Sequence, residues 1–563
     1  MRARPIATAA LATVLTLVLS PAPGPQAQDS PIFRAMQDEM KRSMAELRLP
    51  GEPPPYYIAY EISETTTMRA VARLGGLVDE SNTRGRSLRV EVRVGDYAFD
   101  SSRFITQDRG AGLVAVLGDS TTALDDNYDV MRRQIWLTTD AAYKRAVSVF
   151  AKKKATFQNR AGIDALPDFS REKPVDMVLS VAPPASDRRE WADRVRQLSA
   201  AGAGPGVDAT EAWVSETRGT SYFLNTEGFK TVAPYELAYL RVSAETQGAD
   251  GMPVRDLFSL VENRLEDLPA MPQLLSRARG VATRIQSQLT APIGEEFTGP
   301  VLIEGEASAE IVRQTLVPLM LARRPNDAEA GGRGGGGGQA QATPFLTRIG
   351  LRVLSDAFSV SDTPSLKEFD GRPVPGAYVL DDEAVRAQDV TLVDKGRLVT
   401  LLTSRTPQRN LPQSNGHGRT GTVQPGVFQL SSAQAVPAAT LKGKYLELLK
   451  VQDKPFGYIV RSVANPADIG TAGPGGPVIL QAFKVTPDGK EELVRGLRFG
   501  GIASTSFRDI LEASQERTLY NYRLNGATAA SVIAPSLLFE ELEIQRTRDI
   551  LQKPPVVPSP LGK

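Results

Sequence analysis

Not one cysteine occurs in 563 residues, and only one histidine, His417. A chain without thiols forms no disulfides and offers no thiolate to a metal, so its fold must rest on packing alone. The same poverty narrows its chemistry. Zinc sites draw on imidazole and thiolate, and a Ser-His or Cys-His nucleophile needs an imidazole base. The chain supplies one such group at most, which leaves carboxylates, hydroxyls, amines and backbone, or the chemistry of a partner.

Arg2 and Arg4 precede an apolar run from Ala7 to Leu19, and a Pro/Ala stretch follows with Ala27 as the best residue to cleave after. The run is short for a bilayer and its flanks are those of a secretory signal peptide, so residues 1–27 are read as a signal, with a retained anchor as the alternative. The mature chain is then expected to be exported, to the periplasm or outside the cell, with no membrane span. Losing Arg2 and Arg4 takes the formal charge from +1 to +1 − 2 = −1. That balance gives no electrostatic case for nucleic acid or anionic lipid.

Roughly 535 residues remain, enough for about two to four domains. Phe33, Met36, Met40, Met44 and Leu47 recur at helical spacing and predict a helix over Ile32–Leu47. Alternation predicts strands over Tyr56–Ile62 and Leu88–Tyr97, the latter with Leu88, Val90, Val92 and Val94 on a dry face. A helix over Thr138–Lys154 ends in Lys152, Lys153 and Lys154, read as a solvated terminus that suits the helix dipole. Strands follow across Trp213–Ala244 about a turn at Asn225–Gly228, then a helix over Leu257–Gln288. The composition shifts at 290–300, which is read as the main domain boundary. Beyond it come a helix from Ala307 to about Arg323 and strands at Ala377–Leu380, Asp389–Val393, Arg397–Leu402, Gly457–Val463, Val478–Val485 and Glu492–Phe499. The expected class is α+β: a mixed N-terminal domain over 28–295, a strand-rich C-terminal domain over 296–550 and a Pro-rich tail over 551–563.

Common catalytic motifs are missing or incomplete. The glycine-rich segment 331–341 lacks the Gly-Lys-Ser/Thr ending of a phosphate loop and reads as a flexible surface loop. Ser170-Arg-Glu-Lys173 matches Ser-x-x-Lys, but no Lys-Thr-Gly accompanies it. His417, between glycines in the polar loop Ser414-Asn-Gly-His-Gly-Arg, is read as exposed or hydrogen-bonded, with a role as base or ligand as the alternative.

Several separated blocks carry a resemblance. Thr298-Gly-Pro-Val-Leu-Ile-Glu-Gly-Glu-Ala-Ser-Ala-Glu, Val379-Leu-Asp-Asp-Glu-Ala, Leu392-Val-Asp-Lys-Gly-Arg-Leu-Val-Thr and Ala534-Pro-Ser-Leu-Leu-Phe-Glu-Glu-Leu-Glu-Ile follow in order, with weaker blocks at Leu88–Tyr97 and Leu224–Gly228. Together they resemble the TldD/PmbA family of metalloprotease-related proteins. The resemblance implies that, in active members, a helix carries His-Glu-x-x-x-His and a later cysteine completes a zinc site, with the glutamate as base toward metal-bound water. Here Gly305, Glu306 and Glu310 stand at the His, Glu and His positions. A register one residue earlier brings Glu304 and Gly305 there and restores no histidine.

Glu306 and Glu310 lie four apart on one helix face and, with Glu304, could hold a hard cation through oxygen. The alternative is a solvated acidic first turn. Asp381, Asp382 and Glu383 form a second cluster, read as a hydrated turn because adjacent side chains on a strand alternate. The resemblance thus implies a partner-type member without its own zinc, assembling with a motif-bearing TldD-like subunit or with itself, and holding extended peptide by strand addition. No cofactor is expected on this chain, zinc being the partner's. The other readings are a stand-alone peptidase with an atypical metal site or His417, and a binding or scaffold protein without proteolytic role.

Overall fold

Alternation along the first long strands decides which side of the N-terminal half is dry. Successive side chains of a strand point to opposite faces, and in Pro55–Arg73 the even positions Ile58, Tyr60, Ile62, Met68 and Ala70 are buried. The odd positions include Glu61, Ser63, Thr65 and Thr67. The structure is a computed structural model that describes residues 30–106, 117–158, 166–179, 189–328, 343–469, 476–547 and 557. The signal, the glycine-rich segment 331–341 and all of the tail but residue 557 lie outside the described residues.

Pro55–Arg73 pairs antiparallel with Gly76–Val94 on one side and Ala209–Asn225 on the other. Lys230–Gln247, Pro253–Glu262, Leu117–Thr121 and Asp176–Val178 complete a seven-stranded sheet. Four helices cover its even face. Pro31–Glu46 and Tyr128–Gln158 pack on Ile58, Tyr60, Leu88, Val90 and Val92. Glu190–Ala201 and Met271–Thr290 pack on Ala70, Val214, Leu240 and Val242. Each aliphatic side chain buried in this way contributes about 1.5–3 kcal/mol. The odd face is left to the second half of the chain.

That half is built around Thr528–Arg546 in an eleven-stranded sheet. The strand pairs antiparallel with Ile510–Asn525 and Phe297–Ile303 and parallel with Val427–Ser432. Val301, Ile303, Leu537 and Phe539 enter one core, while Leu302 and Leu538 meet Leu441, Tyr445 and Leu449 of the helix Ala438–Val451 on the other face. Cover on both faces makes such strands near-continuously apolar rather than alternating. Helices on one face of an antiparallel sheet, followed by a strand-rich half, give the α+β class read from the sequence.

Several expected elements are corrected. Leu257–Glu262 finishes a strand, and the helix is Met271–Thr290 with Pro272 in its first turn; a short apolar run fits strand or helix equally until proline marks the start. The helix expected to reach Arg323 is α-helical only over Gly305–Ile311, then passes through a π turn at Val312–Leu316 and a 3₁₀ turn at Val317–Met320. Pro318 has no N–H to continue the α pattern. Ala377–Leu380 forms only a bridge from Leu380 to Arg386, and Arg397–Leu402 pairs as a strand only over Arg397–Leu398. Gly496, at φ +72, splits the last run into Glu491–Val494 and Leu497–Phe499. The helix over Thr138–Lys154 extends over Tyr128–Gln158, and Lys153 is buried rather than solvated. Its ammonium donates to Asp168 Oδ2 at 2.6 Å and to two backbone carbonyls, since a buried charge must be paired.

Several polar contacts lock the halves together. Arg405, fully buried, reaches from the second half to Glu227 at 2.6 Å and lies 3.8 Å from the ring centroid of Phe169. Tyr239 and Ser259 of the first sheet donate to the two oxygens of Asp468. A third contact is pH-sensitive. Glu262 faces Arg372 at 3.6 Å with its side chain 4% exposed, and burial pushes its carboxyl up to about 7. The folded protein therefore holds this proton more tightly than the unfolded chain, whose carboxyl titrates at the ordinary 4.5. The stability this confers is complete below the unfolded value and is lost as pH rises through 7. Glu262→Gln, which mimics the protonated form, is expected to stabilise the protein by about 3 kcal/mol at pH 8, and to leave its melting unchanged at pH 4. Equal shifts at both pH values in thermal denaturation would contradict this account.

Candidate functional site

The strand Phe297–Ile303 delivers the chain to the position where the family helix begins. Gly305 turns it with φ +55, and its N–H donates to Ser536 Oγ at 3.1 Å. A histidine here would have to adopt the left-handed region, which costs an ordinary residue roughly 1–2 kcal/mol. Glu306 is exposed, as a glutamate in a first turn should be, and Glu304 pairs with Arg461 at 2.8 Å.

Glu310 departs from the expected solvated turn. It is 1% exposed, and its oxygens accept from Arg313 Nε and Nη2 and from Gln314 Nε2, each at 2.6 Å. Burial raises the Glu310 carboxyl pKa, while the Arg313 fork and a hydrogen bond with Tyr520 act against it. Arg313 in turn lies 5.1 Å from the ring of Tyr522 and reaches Asn465 Oδ1 at 3.4 Å. Spacings of three and four put Arg313 and Gln314 over Glu310 on one helix face, a relation the sequence already contained.

These residues do not fit zinc. At the positions that the resemblance sets for the two histidines, the Glu310 carboxylate is engaged by a guanidinium and Gly305 has no side chain, and the chain has no thiolate to offer. Nor do Glu304, Glu306 and Glu310 converge on a hard cation; among the described residues no three His, Asp or Glu side chains form a ligand set.

His417 is hydrogen-bonded and wholly buried. Nε2 lies 3.2 Å from Asp362 Oδ1 and Nδ1 lies 2.9 Å from Asn415 Oδ1, with the Tyr378 ring edge-on. With both nitrogens engaged and the ring enclosed, it pins its loop to the strand Phe358–Asp362. The glycines beside it are required by closeness: a Cβ on Gly416 would come 2.2 Å from Arg386 O, and one on Gly418 2.2 Å from Glu383 Oε2. The acidic triplet serves the same loop and is not a hydrated turn throughout. Asp381 is buried and accepts from Gly418, Val385 and Glu383 N–H groups, Asp382 from Thr420, and Glu383 from Arg405. Ser170 Oγ donates to Glu172 and makes no pair with Lys173.

What sequence reading missed is the space between the halves. The odd face of the first sheet and the inner surface of the second half enclose a cleft of about 1580 Å³. Ser63, Thr65, Thr67, Ser215 and Thr217 line one wall; Asn465, Asn521, Tyr522 and Arg523 line the other. Tyr522 and Asn465 touch the Arg313 fork, so the family helix abuts the cleft. The signal for one wall was present in the odd Ser and Thr of Glu61–Arg69, whose wet face awaited a partner.

Residues 297–546 match the PmbA/TldA metallopeptidase C-terminal domain. The chain thus carries, in its second half, the C-terminal domain of the TldD/PmbA family. Its fold is shared by a protein described as a modulator of a DNA gyrase from Thermotoga maritima, at 16% identity and TM-score 0.58, covering 91% of this chain and 100% of that one. TldE from Thermococcus kodakarensis is similar at 14% identity and TM-score 0.55, over 91% of this chain and 99% of that one. A described modulator of DNA gyrase from Bacteroides thetaiotaomicron gives 12% identity and TM-score 0.57, over 91% and 98%. No curated protein matches the sequence.

Proposed function

We propose that this TldD/PmbA-family chain is an exported, non-catalytic subunit that holds an extended peptide in the cleft between its halves for a zinc-bearing, motif-carrying partner. The observation that supports this reading is the Glu310–Arg313 fork beside the cleft wall: a guanidinium engages the carboxylate that the resemblance sets at a ligand position, and the cleft lies next to it. A cleft of about 1580 Å³ exceeds the roughly 300–1,000 Å³ of small-molecule pockets and suits a polymer. Short hydroxyl side chains on one wall and carboxamides on the other can satisfy peptide N–H and C=O groups without demanding a particular sequence. Zinc and the attacking water would then be the partner's contribution, and the apolar run with its flanking arginines supports delivery outside the cytoplasm.

The test is hydrolysis of an unstructured peptide by the mature chain, by a His-Glu-x-x-x-His subunit from the same organism, and by the two mixed. No cleavage by the chain alone and faster cleavage by the mixture than by the motif-bearing subunit are expected. Cleavage by the chain alone, or a mixture no faster than that subunit, would overturn the reading.

A further inference from the structure

Five arginines line the cleft, and four are already engaged. Arg69 pairs with Asp79, Arg89 with Glu61 and Arg264 with Glu236, while Arg419 donates to the carbonyls of Pro425 and Ala529. Arg523 differs. Among the described residues its guanidinium has neither a carboxylate nor a carbonyl partner, and it is held instead over two rings, 5.4 Å from the centroid of Trp213 and 4.8 Å from that of Tyr239. Those rings meet edge to face at 4.9 Å. The acid beside them, Asp468, is committed: one oxygen accepts from Tyr239 and the other from Ser259.

The parts come from both halves. Trp213 and Tyr239 stand on adjacent strands of the first sheet, and Arg523 stands near the tip of the Ile510–Asn525/Thr528–Arg546 hairpin, which packs on that sheet through Ala527 and Ala529. Attraction to the two rings uses the charge of the guanidinium and none of its N–H donors, so the fork that grips a carboxylate in two parallel hydrogen bonds is available. An aromatic floor also lowers the entropy lost when that fork closes on a ligand.

We propose that Arg523, on its Trp213–Tyr239 platform, is the anion subsite of the cleft and takes a carboxylate of the bound peptide, either its free C-terminus or an Asp or Glu side chain. This rests on the cleft being a peptide site and adds a chemical preference to it. Neither a neutral nor a basic peptide would satisfy the one unengaged guanidinium among the five, whereas an acidic group would form a charge-assisted, bidentate pair.

Fluorescence anisotropy with a labelled decapeptide of Gly, Ser and Ala carrying one Glu tests this. The peptide is compared with its C-terminal amide, its Glu-to-Gln analogue and the doubly neutral form, against the native chain, Arg523→Gln and Arg523→Lys. Removing the carboxylate that is read is expected to weaken binding by about tenfold in the native chain and to change nothing in Arg523→Gln, with Arg523→Lys in between because it keeps charge but not the fork. Loss on amidation assigns the C-terminus, and loss on Glu-to-Gln assigns the side chain. Equal binding of all four peptides to the native chain would overturn the subsite and leave the peptide cleft standing. Failure of every peptide to bind would sink both. Arg523 is exposed, so unchanged melting of the variants separates lost binding from lost folding.

Discussion

Arg405→Ala is expected to cost about 3–5 kcal/mol of unfolding free energy, the range for removing one partner of a buried ion pair. The side chain is fully buried, donates to both oxygens of Glu227 and to the carbonyl of Ser170, and lies against Phe169 between the two halves. Its loss strands the Glu227 carboxylate and leaves a cavity in the joint. Urea denaturation followed by tryptophan fluorescence reads the effect, and Trp191 and Trp213 both lie in the N-terminal half. Arg405→Ala combined with Glu227→Gln should be less harmful than the sum of the two single changes, because the stranded charge is gone. A single substitution costing less than about 1 kcal/mol, as at an exposed pair, would show that the joint does not depend on Arg405.

The second large effect is at the family helix. Arg313→Ala should cost about 3 kcal/mol or more, since it leaves Glu310 at 1% exposure with only Gln314 and Tyr520 for company. Glu310→Gln alone should cost less, because a carboxamide can still accept from the guanidinium, and Arg313→Met with Glu310→Leu should recover much of the loss by replacing the pair with apolar packing. Thermal melts of the four proteins make the comparison. Indifference to Arg313→Ala would mean that the fork does not hold this position, and with it would go the reason for excluding a metal there.

How far the sequence could be read depended on the distance over which each interaction acts. Gly457–Val463 was predicted to the residue, and the dry face of Leu88–Val94 was legible because a strand's alternation is written in adjacent positions. The helix Pro31–Glu46 was likewise local. Leu257–Glu262 was misread because a short apolar run carries no period of its own, and Lys153 because its partner Asp168 lies 15 positions on, beyond its own helix. At the site the same rule holds. That Gly305 and Glu310 are not histidines is read from residue types alone. The Arg313 fork was within reach, three positions from Glu310, but burial turned it from a surface pair into a closed one. The cleft was beyond reach, because its walls are separated by hundreds of residues and meet only when the two sheets pack, as do Arg405 and Glu227, 178 positions apart.

If the Arg313 fork closes the position that the resemblance sets for a metal, this chain should not retain zinc. Zinc content settles it most directly: the purified mature chain is equilibrated with excess zinc, desalted and analysed by plasma mass spectrometry. Zinc far below stoichiometry, unchanged by Glu310→Gln, is expected. One zinc retained per chain, and lost in Glu310→Gln, would contradict it.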